Sequence, residues 1–268
     1  MKKLIRLFVQ FSFPCFSLSG MSSAPVIACD SSSQAQQSEQ VTYYGALLSP
    51  FATAARLGNR ELCEKLIFQG VQIDETDIFN RTPLMIAAGE GHVGICQLLL
   101  SYGASVKVKD IDGITALMKA ARVGNCDICL FLLDNGADVN ENDNRGASAL
   151  HRAARVTQEL CELLIQRGAQ VNEKDMHGVT PLMQAANLGH LSICVLLIEN
   201  GALVTDKNKY GKTVLMYAAL RGRKEVCQLL IAKGVSVVET DGENKTALIY
   251  ARERGYDDVC ELLSHNMR

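Results

Sequence analysis

The sequence has almost no net charge and no long apolar run, and each of these absences excludes a class of protein. Lys and Arg number 27 against 29 Asp and Glu, which gives a formal net charge of −2. Bulk charge therefore does not make the chain a binder of polyanions such as nucleic acids. No uninterrupted apolar run reaches the length of roughly 18 residues that an ordinary transmembrane helix requires.

Residue patterns typical of catalytic or metal sites are also missing. Cys126 and Cys129 form a C-x-x-C pair, but no second pair and no spaced His pair accompanies it, so zinc binding is not expected. No nucleophile–base–acid set and no carboxylate pair stands out. We therefore predict that the protein is not an enzyme, binds no cofactor and takes no small-molecule substrate.

A G-x-G-x-x-G sequence runs from Gly89 to Gly94. A dinucleotide site needs a strand before this sequence and a long helix after it. Here it follows a predicted helix, so we interpret it as a turn between two helices.

A Thr or Ser recurs at a nearly fixed interval. The successive spacings are 33, 33, 32, 33 and 33 residues, and the positions are Thr82, Thr115, Ser148, Thr180, Thr213 and Thr246. An earlier and looser copy begins at Ser49. A fixed period of this length predicts an array of small units that share one core with their neighbours.

Each unit has the pattern of two short helices. Thr180 suits a helix N-cap, and Pro181 suits the first helical position, where its missing N–H costs nothing. Gly189 can take the positive φ that ends a helix. A second helix then places Cys194 on an apolar stripe and ends before Gly201.

These units resemble the ankyrin repeat. The residues 112–117, Asp-Gly-Ile-Thr-Ala-Leu, and 136–140, Gly-Ala-Asp-Val-Asn, match that family's pattern closely. The resemblance implies an all-α repeat fold, an ankyrin solenoid of helix–turn–helix units with short β-hairpin or loop fingers. It covers residues 42–268 as seven repeats, the first and last acting as caps. It also implies a non-enzymatic scaffold or adaptor that docks a partner protein on the concave face.

The cysteines recur at one position of the repeat: Cys63, Cys96, Cys129, Cys161, Cys194, Cys227 and Cys260. Packed helices lie about 8–10 Å apart, whereas a disulfide needs Cα atoms within about 7 Å. We therefore predict that the thiols fill one buried slot repeatedly. We also predict that Met85, Met118, Met183 and Met216 pack in the core, and that His151, at the same position, ties the finger to its helix.

Unit four departs from the pattern because it is one residue shorter. Thr157 and Gln158 stand where the turn Gly is expected. Loss of that Gly removes the easy positive-φ stop. We expect a tighter or distorted turn there and a locally altered stacking angle.

The N-terminus differs from the rest of the chain. Residues 1–28 begin with basic residues and continue with a Phe-rich apolar stretch, as in a secretory signal, and Val26-Ile27-Ala28-Cys29 resembles a lipoprotein lipidation site. Residues 29–41 suit a flexible polar linker. These features predict export to a bacterial cell envelope with membrane anchoring through Cys29. The alternatives are an unprocessed extension on a cytoplasmic protein, or a secreted or host-directed effector acting inside a cell.

The register of the repeat indicates which side chains face a partner protein. We expect these to be Phe79, Lys119, Arg122, Arg145, Arg152, Arg155, His177, Gln184, Tyr210 and Tyr217. Arg and Tyr are favoured interface anchors, so a basic centre beside Tyr suits an acidic or mixed protein surface. The alternative is a solvated charged face with no partner there. We expect a monomer with an unidentified protein partner and no nucleic acid.

Overall fold

A computed structural model describes residues 48–267, which form fourteen helices in seven consecutive helix–turn–helix pairs. The predictions for residues 1–28 and 29–41, for Cys29 and for the start of the first repeat lie outside these residues. The helices are α1 Pro50–Leu57, α2 Arg60–Phe68, α3 Pro83–Glu90, α4 Val93–Ser101, α5 Ala116–Val123, α6 Cys126–Asp134, α7 Ala149–Ala153, α8 Gln158–Gln166, α9 Pro181–Leu188, α10 Leu191–Glu199, α11 Val214–Leu220, α12 Lys224–Ala232, α13 Ala247–Glu253 and α14 Asp257–His265. No helix in this part of the chain is long and apolar enough to cross a membrane.

The recurring Thr residues cap the first helix of each pair, as the sequence predicted. The hydroxyl of Thr115 accepts a hydrogen bond from the backbone N–H of Met118 at 3.3 Å. Equivalent bonds form at Thr82, Thr180, Thr213 and Thr246, and Ser49 caps α1 in the same way. Each bond satisfies one of the N–H groups that lack a partner within the helix.

Gly residues end most first helices, and they do so for two reasons. Gly189 has a φ of 84°, in the left-handed region that favours Gly. Close approach of the next pair is the second reason, because a Cβ on Gly124 would lie 2.7 Å from Cγ1 of Val156. The predicted turn at Gly91, within the G-x-G-x-x-G sequence, is confirmed, since Gly91 follows α3 with a φ of 82°.

The core is one hydrophobic cluster that runs through all seven pairs. Adjacent alanines such as Ala120 and Ala121 are fully buried and let neighbouring helices approach closely. The four predicted core methionines are each 1% exposed. Six of the seven repeating cysteines are fully buried, whereas Cys260, in the last pair, is half-buried.

Pair four departs from the others as the sequence suggested. Its first helix, α7, has only five residues and ends at Ala154, which has right-handed φ and ψ. The expectation for Thr157 and Gln158 was wrong in detail, because neither replaces the missing Gly. Thr157 caps α8, its hydroxyl accepting from the N–H of Leu160 at 3.3 Å, and Gln158 begins that helix. The altered stacking angle stays a prediction.

The fingers between pairs are loops and not β-hairpins. Within residues 48–267 the structure contains one isolated β-bridge, between Lys207 and Thr213, and no strand. Of the two forms expected for the fingers, the loop form is therefore the one observed.

Candidate partner-binding surface

Six fingers share one turn, which is built by the Asp or Asn that begins each. Oδ1 of Asp143 accepts hydrogen bonds from the N–H groups of Arg145 and Ala147, at 2.8 and 2.9 Å. The same two bonds, to the residues two and four positions on, form at Asp77, Asp110, Asp175, Asn208 and Asp241. Asp and Asn favour such turns because their side chains bond to the nearby backbone. The residue two positions on is the finger tip.

Backbone hydrogen bonds connect each finger to the next. The N–H of Met176 donates to the carbonyl of Arg145 at 2.7 Å, and the N–H of Lys209 donates to that of His177 at 2.9 Å. Phe79, Asp112 and Tyr210 accept in the same way from the finger that follows them. The tips therefore form a continuous row with fixed spacing.

Side chains of the first helices bond back to the finger residue nine positions earlier. Lys119 pairs with Asp110 at 2.8 Å, and Arg152 pairs with Asp143 at 2.5 Å. The hydroxyl of Tyr217 accepts from the amide of Asn208 at 2.9 Å, and that of Tyr250 donates to Asp241 at 2.5 Å. We call the surface made by the finger tips and the first helix of each pair the finger face.

These internal bonds change the role of three predicted binding residues. The side chains of Lys119 and Arg152 are 17% and 19% exposed, and Tyr217 is half-buried, with its pKa raised by that burial. All three brace the fingers and offer little free surface. Sequence register placed them on the correct face but did not reveal the bond to the finger. The recurrence of Asp or Asn nine residues before Lys, Arg or Tyr is the signal that could have found it.

Three predicted arginines remain exposed on the finger face: Arg122, Arg145 and Arg155. None forms an ion pair within the described part of the chain. Burial lowers the pKa of Arg152, and the nearby charges of Arg122 and Arg155 lower it further. Of the predicted basic cluster, Arg122 and Arg155 therefore lie near Arg152, and a role of the cluster in binding stays a prediction.

Aromatic side chains occupy the first and the fifth of the six finger tips. Tyr210 is 59% exposed, and its ring stacks on His177 with centroids 6.3 Å apart. Phe79 is 37% exposed and lies 5.0 Å from the guanidinium of Arg81. Gln184 is half-buried on α9. The tips thus present two exposed rings, and one tip between them, Arg145, is an exposed cation; Tyr and Arg are residue types that interface hot spots favour.

The buried side chains of Ser148 and His151 have structural partners. The N–H of Ser148 donates to Nδ1 of His151 at 3.2 Å, and the Ser148 hydroxyl lies 2.9 Å from the same atom. Nδ1 is therefore the acceptor, and Nε2 donates to the carbonyl of Val179 at 3.0 Å. His151 thus ties its helix to a finger, as predicted, but the finger is that of the following pair, which ends at Val179. Burial lowers the pKa of His151, which fits a neutral ring.

Thiol chemistry is suppressed along the stack. Burial raises the pKa of Cys96, Cys129, Cys161, Cys194 and Cys227 to about 12. The thiolate is the nucleophile and the metal ligand, so burial disfavours the reactive form of these residues at neutral pH. No group of three His, Cys, Asp or Glu within residues 48–267 could hold a metal ion.

Comparisons with known proteins identify the repeat. The ankyrin repeat family model matches three times, over residues 51–143, 138–208 and 182–268. The crystal structure of the human ASB11 ankyrin repeat domain is similar, with a TM-score of 0.73 and 28% sequence identity over 82% of this chain and 98% of that one. No curated protein sequence matches significantly. Because the family model spans most of the sequence and the fold agrees with a solved ankyrin array, the chain belongs to the ankyrin repeat family, whose members generally mediate protein–protein interactions.

Proposed function

We propose that this protein is a non-enzymatic scaffold or adaptor, in which all seven helix pairs act as ankyrin repeats and dock a partner protein on the finger face. The observation that carries the proposal is the row of finger tips, whose backbones are hydrogen-bonded to each other and whose side chains include the exposed cation Arg145 and the exposed rings of Phe79 and Tyr210. A preformed surface of this kind loses little conformational entropy on binding. The protein acts as a monomer.

Site-specific crosslinking in cells tests this function. A photoreactive amino acid in place of His177, an exposed finger tip, should crosslink to a partner protein that mass spectrometry then identifies. The same amino acid in place of Lys233, exposed at the end of a second helix, should not capture that partner. Equal capture at both positions, or none at His177, would contradict the proposal.

We also propose that the N-terminal segment exports the chain and that Cys29 anchors it in the cell envelope. This proposal rests on the order of basic, apolar and small residues before Cys29. Intact mass after fractionation should find a lipid-modified chain beginning at Cys29, and Cys29→Ser should abolish that species. A full-length soluble chain would instead support the alternative of an effector or cytoplasmic protein.

A further inference from the structure

We infer that a small pocket between Arg56 and Arg122 receives a carboxylate from an acidic segment of the partner protein. The inference rests on the proposed function, because it assumes that a partner docks on the finger face. It adds the chemistry of that partner, which the family does not specify.

The pocket exists because pair two has no side chain at a position of the first helix where its two neighbouring pairs have an arginine. The residue after the paired buried alanines is Arg56 in pair one, Gly89 in pair two and Arg122 in pair three. Gly89 leaves a cavity of about 100 Å³ between the two arginines, which Arg81, Met85 and Lys119 also line. The cavity is large enough for a carboxylate, and four of its lining side chains are cationic.

Arg56 has hydrogen-bond donors that residues 48–267 leave unused. Its Nε and Nη2 atoms are buried and have no hydrogen-bond partner among these residues. Leaving such donors unsatisfied costs free energy, more so when they carry charge. A carboxylate can accept two parallel bonds from one guanidinium, so it would satisfy both atoms at once.

The pocket retains free positive charge after its internal pairs are counted. Arg81 is paired with Asp77 at 2.6 Å, and Lys119 with Asp110 at 2.8 Å. Arg122 forms no ion pair within residues 48–267. Glu90 also lines the pocket, but it forms no ion pair with these arginines in the same part of the chain. Arg56 and Arg122 thus remain available to an anion.

The residues at the position of Arg56 in the later pairs indicate how far an acidic segment would extend. The position is occupied by Arg155 in pair four, near Arg152, whose Nε is also buried with no hydrogen-bond partner in the described part of the chain. From pair five onward the residues at this position are Asn187, Leu220 and Glu253. At this helix position positive charge therefore occurs only in pairs one, three and four, and the acidic segment should run across pairs one to four with one carboxylate in the pocket.

Fluorescence anisotropy on the full chain tests the inference. The probe is a short fluorescein-labelled peptide of alternating Glu and Ser, compared with the same peptide in which Gln replaces Glu. We expect the acidic peptide to bind and the amide peptide to bind at least about tenfold more weakly, because hydrogen bonds to charged groups are the stronger ones. Arg56→Gln should weaken binding of the acidic peptide by about tenfold.

A second and independent variant fills the pocket with a side chain. Gly89→Leu introduces the residue that pair six carries at this position, and a Cβ at Gly89 would meet only Lys119 side-chain atoms at 3.7 Å. Gly89 has no positive φ, so the variant should fold at least as stably as the parent. It should nevertheless lose the acidic peptide. Lys233→Gln, with the same charge change on a distant exposed residue, is the matched control and should bind normally.

Three outcomes of the peptide measurements would overturn the inference. One is equal binding of the acidic and amide peptides, and another is unchanged binding by Arg56→Gln and Gly89→Leu. The third is binding that appears only after Glu39→Gln, which would assign the pocket to the chain's own N-terminal segment. If the crosslinked partner is captured but shows no dependence on acidic residues, this inference fails while the proposed function stands. Absence of any crosslink at the finger face removes the proposed function.

Discussion

Pairs four and five contribute equivalent side chains to the buried core between neighbouring pairs, although their turns differ. Pair five has an eight-residue first helix that ends at Gly189, whereas the first helix of pair four has five residues and no Gly. Yet Leu150 and Leu182, at equivalent positions, are each 1% exposed. The comparison indicates that the array keeps the packing between neighbouring pairs while the turn varies, because the shared core supplies most of the stability.

The largest effect on stability should come from truncating a side chain of the buried core between pairs. Leu150→Ala and Leu182→Ala should each lower the free energy of unfolding by about 3 kcal/mol, since each deletes a fully buried side chain and leaves a cavity. Denaturant unfolding of the two variants measures the difference between the pairs. A much smaller loss at Leu150 would show that the short turn has already loosened pair four.

A substitution in the turns should have a smaller effect and should separate the two pairs. Gly189→Ala forces a side chain into a left-handed conformation, which costs about 1–2 kcal/mol. Val156→Ala in pair four should cost less, because no positive φ occurs at Val156 and only packing against Gly124 is lost. Equal losses in denaturant unfolding would argue that backbone conformation does not distinguish these turns.

His151 should make pair four sensitive to pH where pair five is not. Burial lowers its pKa in the folded state, so the unfolded chain binds more protons and stability should fall as pH drops below about 6.5, the pKa of an unperturbed His. His151→Met introduces the residue that pair five has as Met183. The variant should lose little at pH 7 and should show a flatter stability profile between pH 7 and 5, measured by thermal unfolding.

The smallest effect should appear in the reactivity of the thiols. Cys161 in pair four and Cys194 in pair five are both fully buried, and burial raises the pKa of each to about 12. Both should resist a thiol-specific reagent in the native protein, while the half-buried Cys126 and Cys260 should react first among the cysteines of residues 48–267. Mass spectrometry can follow the labelling of each cysteine over time. Faster labelling of Cys161 than of Cys194 would show local opening in pair four.

The candidate site could be predicted only in part from the sequence. Register placed Arg122, Arg145, Arg155, His177 and Tyr210 on the finger face, where they are exposed. It also placed Lys119, Arg152 and Tyr217 there, but these are held by bonds to the finger residue nine positions earlier. The pocket beside Arg56 was missed because it depends on side chains from three neighbouring pairs.

The sequence by itself determined the period of the array, the caps and glycine turns of its helices and the slots filled by Cys and Met, because these depend on local backbone preference and on apolar spacing within one unit. Tertiary structure decided which charged side chains remain free and where an anion can enter. Those properties depend on distances between fingers, helices and neighbouring units, and such distances are fixed only when the units stack.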